Sequence, residues 1–317
     1  MNPQTLILRQ IRLEADGTAS FDLHARDGGE LPPFTAGAHI DVQVPNGPRR
    51  SYSLVGSPTR RERYRIAIKH APDSRGGSRW FHEVARVGMA LEVHGPRNQF
   101  ELVENAPFTV LVAGGIGITP LLPMAERLNA LGRPWVLHYT ARLGREMAFV
   151  RELTALQAAG LGQVHLCRTG EGDARLDLPA IVAQAPQGSH FYVCGPNGLI
   201  DAVIDATAAL PPEQVHHERF GATQAAAIGG GYEIELARSG RRLPVVAGQS
   251  MLDTLLDAGV DVPFSCTQGI CGSCRIEVLD GLPDHRDECL SDDERQGNRC
   301  VIACCSGSRS AVLTLDL

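Results

Sequence analysis

Three cysteines stand within nine residues in CTQGICGSC, at Cys266, Cys271 and Cys274, and four more follow at Cys289, Cys300, Cys304 and Cys305. Thiols this crowded, in a chain whose amino terminus lacks the basic, apolar and small-residue succession of an export signal, read as metal ligands before disulfides. Two chemistries compete for them. A [2Fe–2S] cluster takes four thiolates, three from a tight C-x4-C-x2-C loop and one from far along the chain. A structural zinc ion also takes four, but as two close pairs, which here means Cys271 and Cys274 with two later cysteines. A triplet plus one favours the iron cluster. Gly269, Gly272 and Ser273 suit a loop that must turn where a β-carbon would clash and must aim N–H groups at sulfur.

A second constellation lies upstream. LVAGGIGITPLL sets Gly114, Gly115 and Gly117 between a β-branched run and a helical one, where unpaired helix N–H groups can receive a pyrophosphate. It departs from the dinucleotide fingerprint, because Pro120 fills the third glycine slot and no carboxylate ends the next strand. A tight strand-to-helix turn with no ligand is the plainer reading of this segment taken alone. YVCGPNGLI places Cys194, Gly195 and Pro196 at the end of a later strand, on the rim where ligands of parallel sheets gather. A buried structural thiol is the competing account of Cys194. Nearer the amino terminus, RRSYSL offers Arg50, Tyr52, Ser53 and Leu54, and RGGS offers Arg75, Gly76, Gly77 and Ser78 ahead of a helical stretch. An arginine can neutralise a phosphate, and a tyrosine two residues on along the same strand face presents a flat ring.

These groups need three kinds of scaffold. HIDVQV and RYRIAIKH alternate apolar and polar residues and are separated by turn signals, predicting an antiparallel β-barrel over residues 1–103. From Phe108 onward, four apolar runs each precede a helical pattern, predicting a parallel α/β domain over residues 104–224. The small residues of GATQAAAIGGG, 221–231, read as a flexible linker to an α+β domain of β-grasp type over residues 232–317. The length, 317 residues, and an apolar content of 43% suit such a multidomain chain. A net charge of −6 argues against general affinity for nucleic acid or anionic membrane. No apolar run is long enough to span a bilayer, so a cytoplasmic protein is expected.

The cysteine loop resembles that of plant-type ferredoxins, and that resemblance puts the fourth ligand at Cys304, after a gap of 29 residues following Cys274. Cys305 would point the other way if this piece were extended. The order of motifs, R-x-Y-S-L, R-G-G-S, G-G-I-G-I-T-P, C-G-P and the cysteine loop, resembles over essentially the whole chain the phthalate dioxygenase reductase and vanillate demethylase reductase family. The resemblance implies an FMN barrel, an NADH domain and a ferredoxin domain, together serving a separate Rieske-type terminal oxygenase. It implies that Arg50 contacts the flavin phosphate, with Gly76, Gly77 and Ser78 closing round it and Arg75 among the cofactor-binding residues. Tyr52 would pack on the ring, Ser53 would hydrogen-bond near its reactive nitrogen, and Leu54 would be among the cofactor-binding residues. Gly114, Gly115, Gly117 and Thr119 would hold the dinucleotide, and Cys194, with Gly195 and Pro196, would meet the nicotinamide. Phe220 in HERFG matches an aromatic set against the flavin, with a core phenylalanine as its competitor. A reductase feeding a cytochrome P450, or a zinc-stabilised nucleotide-binding module, are the rival functions.

Two features stay open. Arg142 and Arg145 follow the second strand of the α/β region, where they could receive the extra phosphate of NADPH or merely face solvent. DGLPDHRDECLSDDERQG carries seven acidic residues and two arginines between Asp280 and Gly297, either a steering surface for a basic acceptor or a solvated face.

Overall fold

The alternation of the first hundred residues becomes β1 (Gln4–Ala15), β2 (Thr18–Ala25), β3 (His39–Gln43), β4 (Arg49–Ser53), β5 (Tyr64–Lys69), α1 (Gly77–Glu83) and β6 (Ala90–Arg97). The structure, a computed structural model, describes residues 3–45, 49–71, 76–221, 224–264 and 266–317. The six strands pair antiparallel in the order β4-β3-β6-β1-β2-β5, and a bridge from Leu54 to Ile66 joins the two outer strands and closes the barrel. Inward positions such as Phe21, Ile40, Val42, Leu54 and Ile66 are fully buried. Each contributes about 1.5–3 kcal/mol relative to an exposed side chain.

The repeated strand and helix pattern becomes β7 (Thr109–Gly114), α2 (Ile118–Ala130), β8 (Trp135–Ala141), α3 (Val150–Ala159), β9 (Gly162–Arg168), α4 (Leu178–Gln184), β10 (His190–Cys194) and α5 (Asn197–Ala206). An unanticipated edge strand, β11 (Val215–Glu218), completes a parallel sheet of order β11-β10-β7-β8-β9. Pro120 falls in the first turn of α2, where a missing N–H costs no helical hydrogen bond. Barrel and sheet belong to one compact unit, Met1–Phe220. Ala36, Val55 and Phe100 share a buried cluster with Leu121, Met124 and Tyr192, and the Val103 N–H donates to the Tyr192 hydroxyl at 2.8 Å.

The second unit, Gly221–Leu317, contains β12 (Tyr232–Leu236), β13 (Arg241–Val245), α6 (Met251–Asp257), β14 (Arg275–Asp280), β15 (Pro283–Asp284), α7 (Asp292–Gly297), β16 (Cys300–Ile302), β17 (Gly307–Ser308) and β18 (Val312–Leu315). Its main sheet runs β13-β12-β18-β14-β16, with β12 and β18 parallel and the other neighbours antiparallel. α6 opens with a capping box between Ser250 and Asp253, and buries Met251, Leu252 and Leu255. The 221–231 stretch is not a free linker throughout. The Ala227 N–H donates to the Cys305 carbonyl at 2.7 Å, and the Gly248 N–H donates to that of Ile228 at 2.8 Å, which ties its second half into this unit. Among the described residues, no helix is long and apolar enough to cross a membrane.

Candidate functional site

In the first unit, chemistry gathers where barrel and sheet meet. The carboxyl ends of β7 and β10 touch: Ala113 lies opposite Cys194, and a β-carbon on Gly117 would stand 2.1 Å from the Cys194 carbonyl oxygen. Gly114 is equally crowded, with Pro196 at 2.6 Å from such a carbon and the Gly195 backbone against it. Packing therefore explains the glycines at 114 and 117. Gly115 differs, since it has φ +53° and open space on its side-chain face. The Thr119 hydroxyl donates to the Ile116 carbonyl at 2.9 Å and is buried, so it braces the turn in this conformation.

Cys194 is fully buried, and burial pushes its thiol up, reinforced by the neighbouring Glu218 carboxylate. Glu218 faces Cys194 across the β10–β11 register, and its Oε2 lies 3.5 Å from Ser53 Oγ at the end of β4, a long hydrogen bond. Although part of the residue reaches solvent, its carboxyl is enclosed, and burial raises it from 4.5 to about 8, with the Ser53 bond opposing. Ser53, Cys194 and Glu218 thus converge, although Ser53 and Glu218 are 165 positions apart. The sequence reading missed Glu218. The available signal was an acidic residue in HERFG, two positions before the aromatic singled out there. Phe220 is 38% exposed, which removes the core-phenylalanine account.

Beside Ser53, alternation along β4 does as expected. Gly77, at the start of α1, would place a β-carbon 3.0 Å from Arg50 Cγ and 3.1 Å from the Tyr52 hydroxyl, so these three form one surface. Tyr52 packs edge-on against Phe81 of α1 at 5.3 Å, and burial raises its hydroxyl pKa. Gly76 caps α1 with φ +111°, and Ser78 Oγ accepts from the Ala71 N–H at 3.2 Å. Leu54 belongs to the barrel core, its N–H donating to the Ala38 carbonyl. Arg75 lies outside the described residues. After the carboxyl end of β8, Arg145 pairs with Asp16 at 3.0 Å, whereas Arg142 is exposed.

In the second unit, the cysteine loop wraps tightly: Thr267, Gly269 and Gly272 have φ of +54°, +76° and +68°. Cys266, Cys274 and Cys304 are buried and Cys271 is partly exposed. Cys266 has Cys271 and Cys304 as neighbours, and Cys274 has Cys304. The Gln268 N–H donates to Cys266 Sγ at 3.3 Å, the Gly269 N–H to Cys304 Sγ at 3.2 Å, and Ser273 reaches Cys271. Four adjacent thiols under a canopy of donors fit an anionic four-thiolate cluster, whose sulfurs such donors stabilise. Cys305 does not point away as an extended segment would require. Residues 303–305 form a turn after β16, which brings both neighbouring sulfurs to the loop.

Much of the acidic run is neutralised internally. Asp284 pairs with Arg286 and Arg309, and Glu294 with Arg275. The fully enclosed Asp287 side chain lies near Arg295 and His285. Ser291 and Glu294 form a capping box for α7, the S-x-x-E signal that the sequence reading passed over.

Barrel, parallel sheet and four-thiol loop together define a flavin and iron–sulfur oxidoreductase. The model of the 2Fe-2S iron-sulfur cluster binding domain matches residues 234–308. The chain is 52% identical to the phenoxybenzoate dioxygenase subunit beta of Ectopseudomonas oleovorans, over 100% of this chain and 98% of that protein. A solved phthalate dioxygenase reductase, titled as a modular structure for electron transfer from pyridine nucleotides to [2Fe-2S], matches with TM-score 0.84 and 40% identity over 100% of this chain and 98% of that one. An intact type IV self-sufficient cytochrome P450 monooxygenase matches with TM-score 0.80 and 38% identity, over 99% of this chain but 41% of its own. The chain belongs to the phthalate dioxygenase reductase family, and is an electron-transfer reductase that serves an oxygenase.

Proposed function

We propose that this reductase takes electrons from NADH through FMN to its [2Fe–2S] cluster and delivers them singly to a separate Rieske-type terminal oxygenase. The observation that carries the reading is the meeting of Ser53, Cys194 and Glu218, because it joins a flavin-type barrel to the ligand rim of a parallel sheet within one unit. NADH gives two electrons together and a [2Fe–2S] cluster accepts one, and bound flavin supplies the exchange between them.

The division of labour follows the chain: residues 1–103 for FMN, 104–224 for NADH and 232–317 for the cluster. Arg50 neutralises the flavin phosphate, with Gly76, Gly77 and Ser78 beside it and Arg75 assigned to the same task. Tyr52 offers its ring and Ser53 a hydroxyl. Gly115 leaves room at the start of α2 for the dinucleotide, whose nicotinamide lies toward Cys194. Glu218 keeps a proton near neutral pH, held close to Ser53 Oγ, so that a donor is in place without a buried negative charge. Phe220 supplies an exposed aromatic face. The Arg145–Asp16 pair supports NADH, since that guanidinium already has a carboxylate. Cys266, Cys271, Cys274 and Cys304 are the cluster ligands. The nine cysteines are all free, which suits a reducing cytoplasm.

Flavin, iron and acid-labile sulfide analysis of the purified protein, then anaerobic addition of NADH, tests this assignment. Bleaching of flavin followed by cluster reduction is expected, and stoichiometric zinc with no colour would overturn it. The likeness to a fused P450 favours one second reading, a P450 acceptor. Stopped-flow reoxidation separates them: fast turnover with a P450 and none with any Rieske oxygenase would reverse the preference.

A further inference from the structure

The sequence has no carboxylate at the end of β8, where a dinucleotide fold keeps one for the adenosine ribose. The structure brings one there from the next loop. β8 ends at Ala141 and β9 at Arg168, which face each other in the register, and the two loops that follow run together. The Thr169 N–H donates to the Ala141 carbonyl at 3.0 Å, and the Gly170 N–H to that of Arg142 at 2.7 Å. A β-carbon on Gly170 would stand 2.8 Å from that second oxygen, so a glycine is what lets the loops meet. Just beyond, Glu171 Oε1 accepts from the Gly144 N–H at 2.7 Å, which holds an exposed carboxylate in the loop after β8.

We infer that Glu171 selects NADH over NADPH: its carboxylate accepts a hydrogen bond from the adenosine 2′-hydroxyl and repels a phosphate at that position. This rests on the nucleotide reading given above. With the pyrophosphate at Gly115 and the nicotinamide toward Cys194, the sheet order directs the other half, because β8 and β9 lie on the opposite side of β7 from β10. The adenosine half therefore lies over the ends of β8 and β9. NADPH differs from NADH only by the phosphate on that half. The Gly144 N–H occupies one lone pair of one carboxylate oxygen, and an ionised carboxylate has about four such sites, so the group can still receive a hydroxyl. Asp173, in the same loop, is otherwise engaged, since its Oδ2 accepts from the Arg168 N–H at 2.7 Å and closes the end of β9. Arginines border the same place. Arg142 is exposed, and Arg168 passes close to Gly144, its Nε 3.4 Å from where a β-carbon would stand. Without the Glu171 charge these two would attract a 2′-phosphate, so one carboxylate decides which nucleotide the rim accepts.

The test uses the full-length holoprotein with ferricyanide as electron acceptor, and compares kcat/KM for NADH and NADPH. Calorimetric titration with adenosine 2′,5′-bisphosphate and with adenosine 5′-phosphate reads binding apart from turnover. Glu171→Gln keeps an oxygen for the Gly144 N–H but removes the charge. It should raise the NADPH-to-NADH ratio of kcat/KM about tenfold and tighten the bisphosphate in step, while NADH loses affinity. An unchanged ratio in Glu171→Gln, with the parent preferring NADH, would overturn the inference. So would a gain for NADPH in Glu171→Ala that Glu171→Gln does not share, which would mean that the residue only braces the loop. A parent protein that takes NADPH as readily as NADH would bring down the nucleotide reading first, and this one with it.

Discussion

The rim of the first unit and the cysteine loop of the second both depend on glycine, for different reasons. At the rim, Gly117 allows two strand ends to touch, and a side chain there would strike the Cys194 backbone at 2.1 Å. In the loop, Gly269 has φ +76° and rests on the sulfur of Cys305. One glycine closes a gap between distant strands; the other bends a local segment round its own thiols. The rim is thus a product of long-range assembly, with Ser53, Cys194 and Glu218 drawn from three parts of the chain. Three of the four thiols in the loop come from nine consecutive residues.

If that contrast is right, damage to the loop should be local and damage to the rim should spread. The largest effect belongs to Cys304→Ala, which should abolish the cluster while NADH still bleaches the flavin, as read by iron content and anaerobic spectra. Full iron retention would transfer the fourth ligand to Cys305. Gly117→Ala comes next. A β-carbon against buried backbone forces a shift, and overpacking of this kind costs typically 1–3 kcal/mol and occasionally more, visible in the denaturation midpoint together with weakened nucleotide binding. Unchanged stability would mean that the rim is looser than its packing indicates.

Glu218→Gln sharpens the comparison further. Loss of a positioned proton donor should slow flavin reduction about 100-fold, within the range for general acid–base groups, and should flatten the pH profile near 8. The same residue predicts a trend in stability. With its carboxyl raised from 4.5 to about 8, the folded chain holds a proton that the unfolded chain has lost, so stability should fall as pH rises through that window. Thermal melts of the parent and of Glu218→Gln should differ there, the variant being flatter. Smallest of all, Arg145→Ala should leave stability within about 0.5 kcal/mol, because exposed ion pairs are worth little, and should leave NADH preferred over NADPH.

The parts of the fold that could be read in advance were those with a repeating pattern. Period-two alternation announced the barrel, and four apolar runs each followed by a helical stripe announced the parallel sheet. β11 escaped because VHHE has no apolar alternation and is held by pairing with β10. α7 escaped because DDERQG buries no side chain, so only its cap could betray it. The 221–231 stretch misled because small residues signal flexibility in a linker and close approach in a packed segment alike. There, Gly230 would bring a β-carbon within 2.5 Å of the Ala247 nitrogen.

Local spacing by itself determined the thiol triplet, the glycines that bend the loop around it, and the order of the three scaffolds, because each depends on neighbours within a few residues. Tertiary structure decided what no spacing encodes. It made Glu218 a high-pKa partner of Ser53, since burial belongs to a place and not to a residue type. It also turned Cys305 inward beside Cys304, since a turn had replaced the extended chain that alternation presumes.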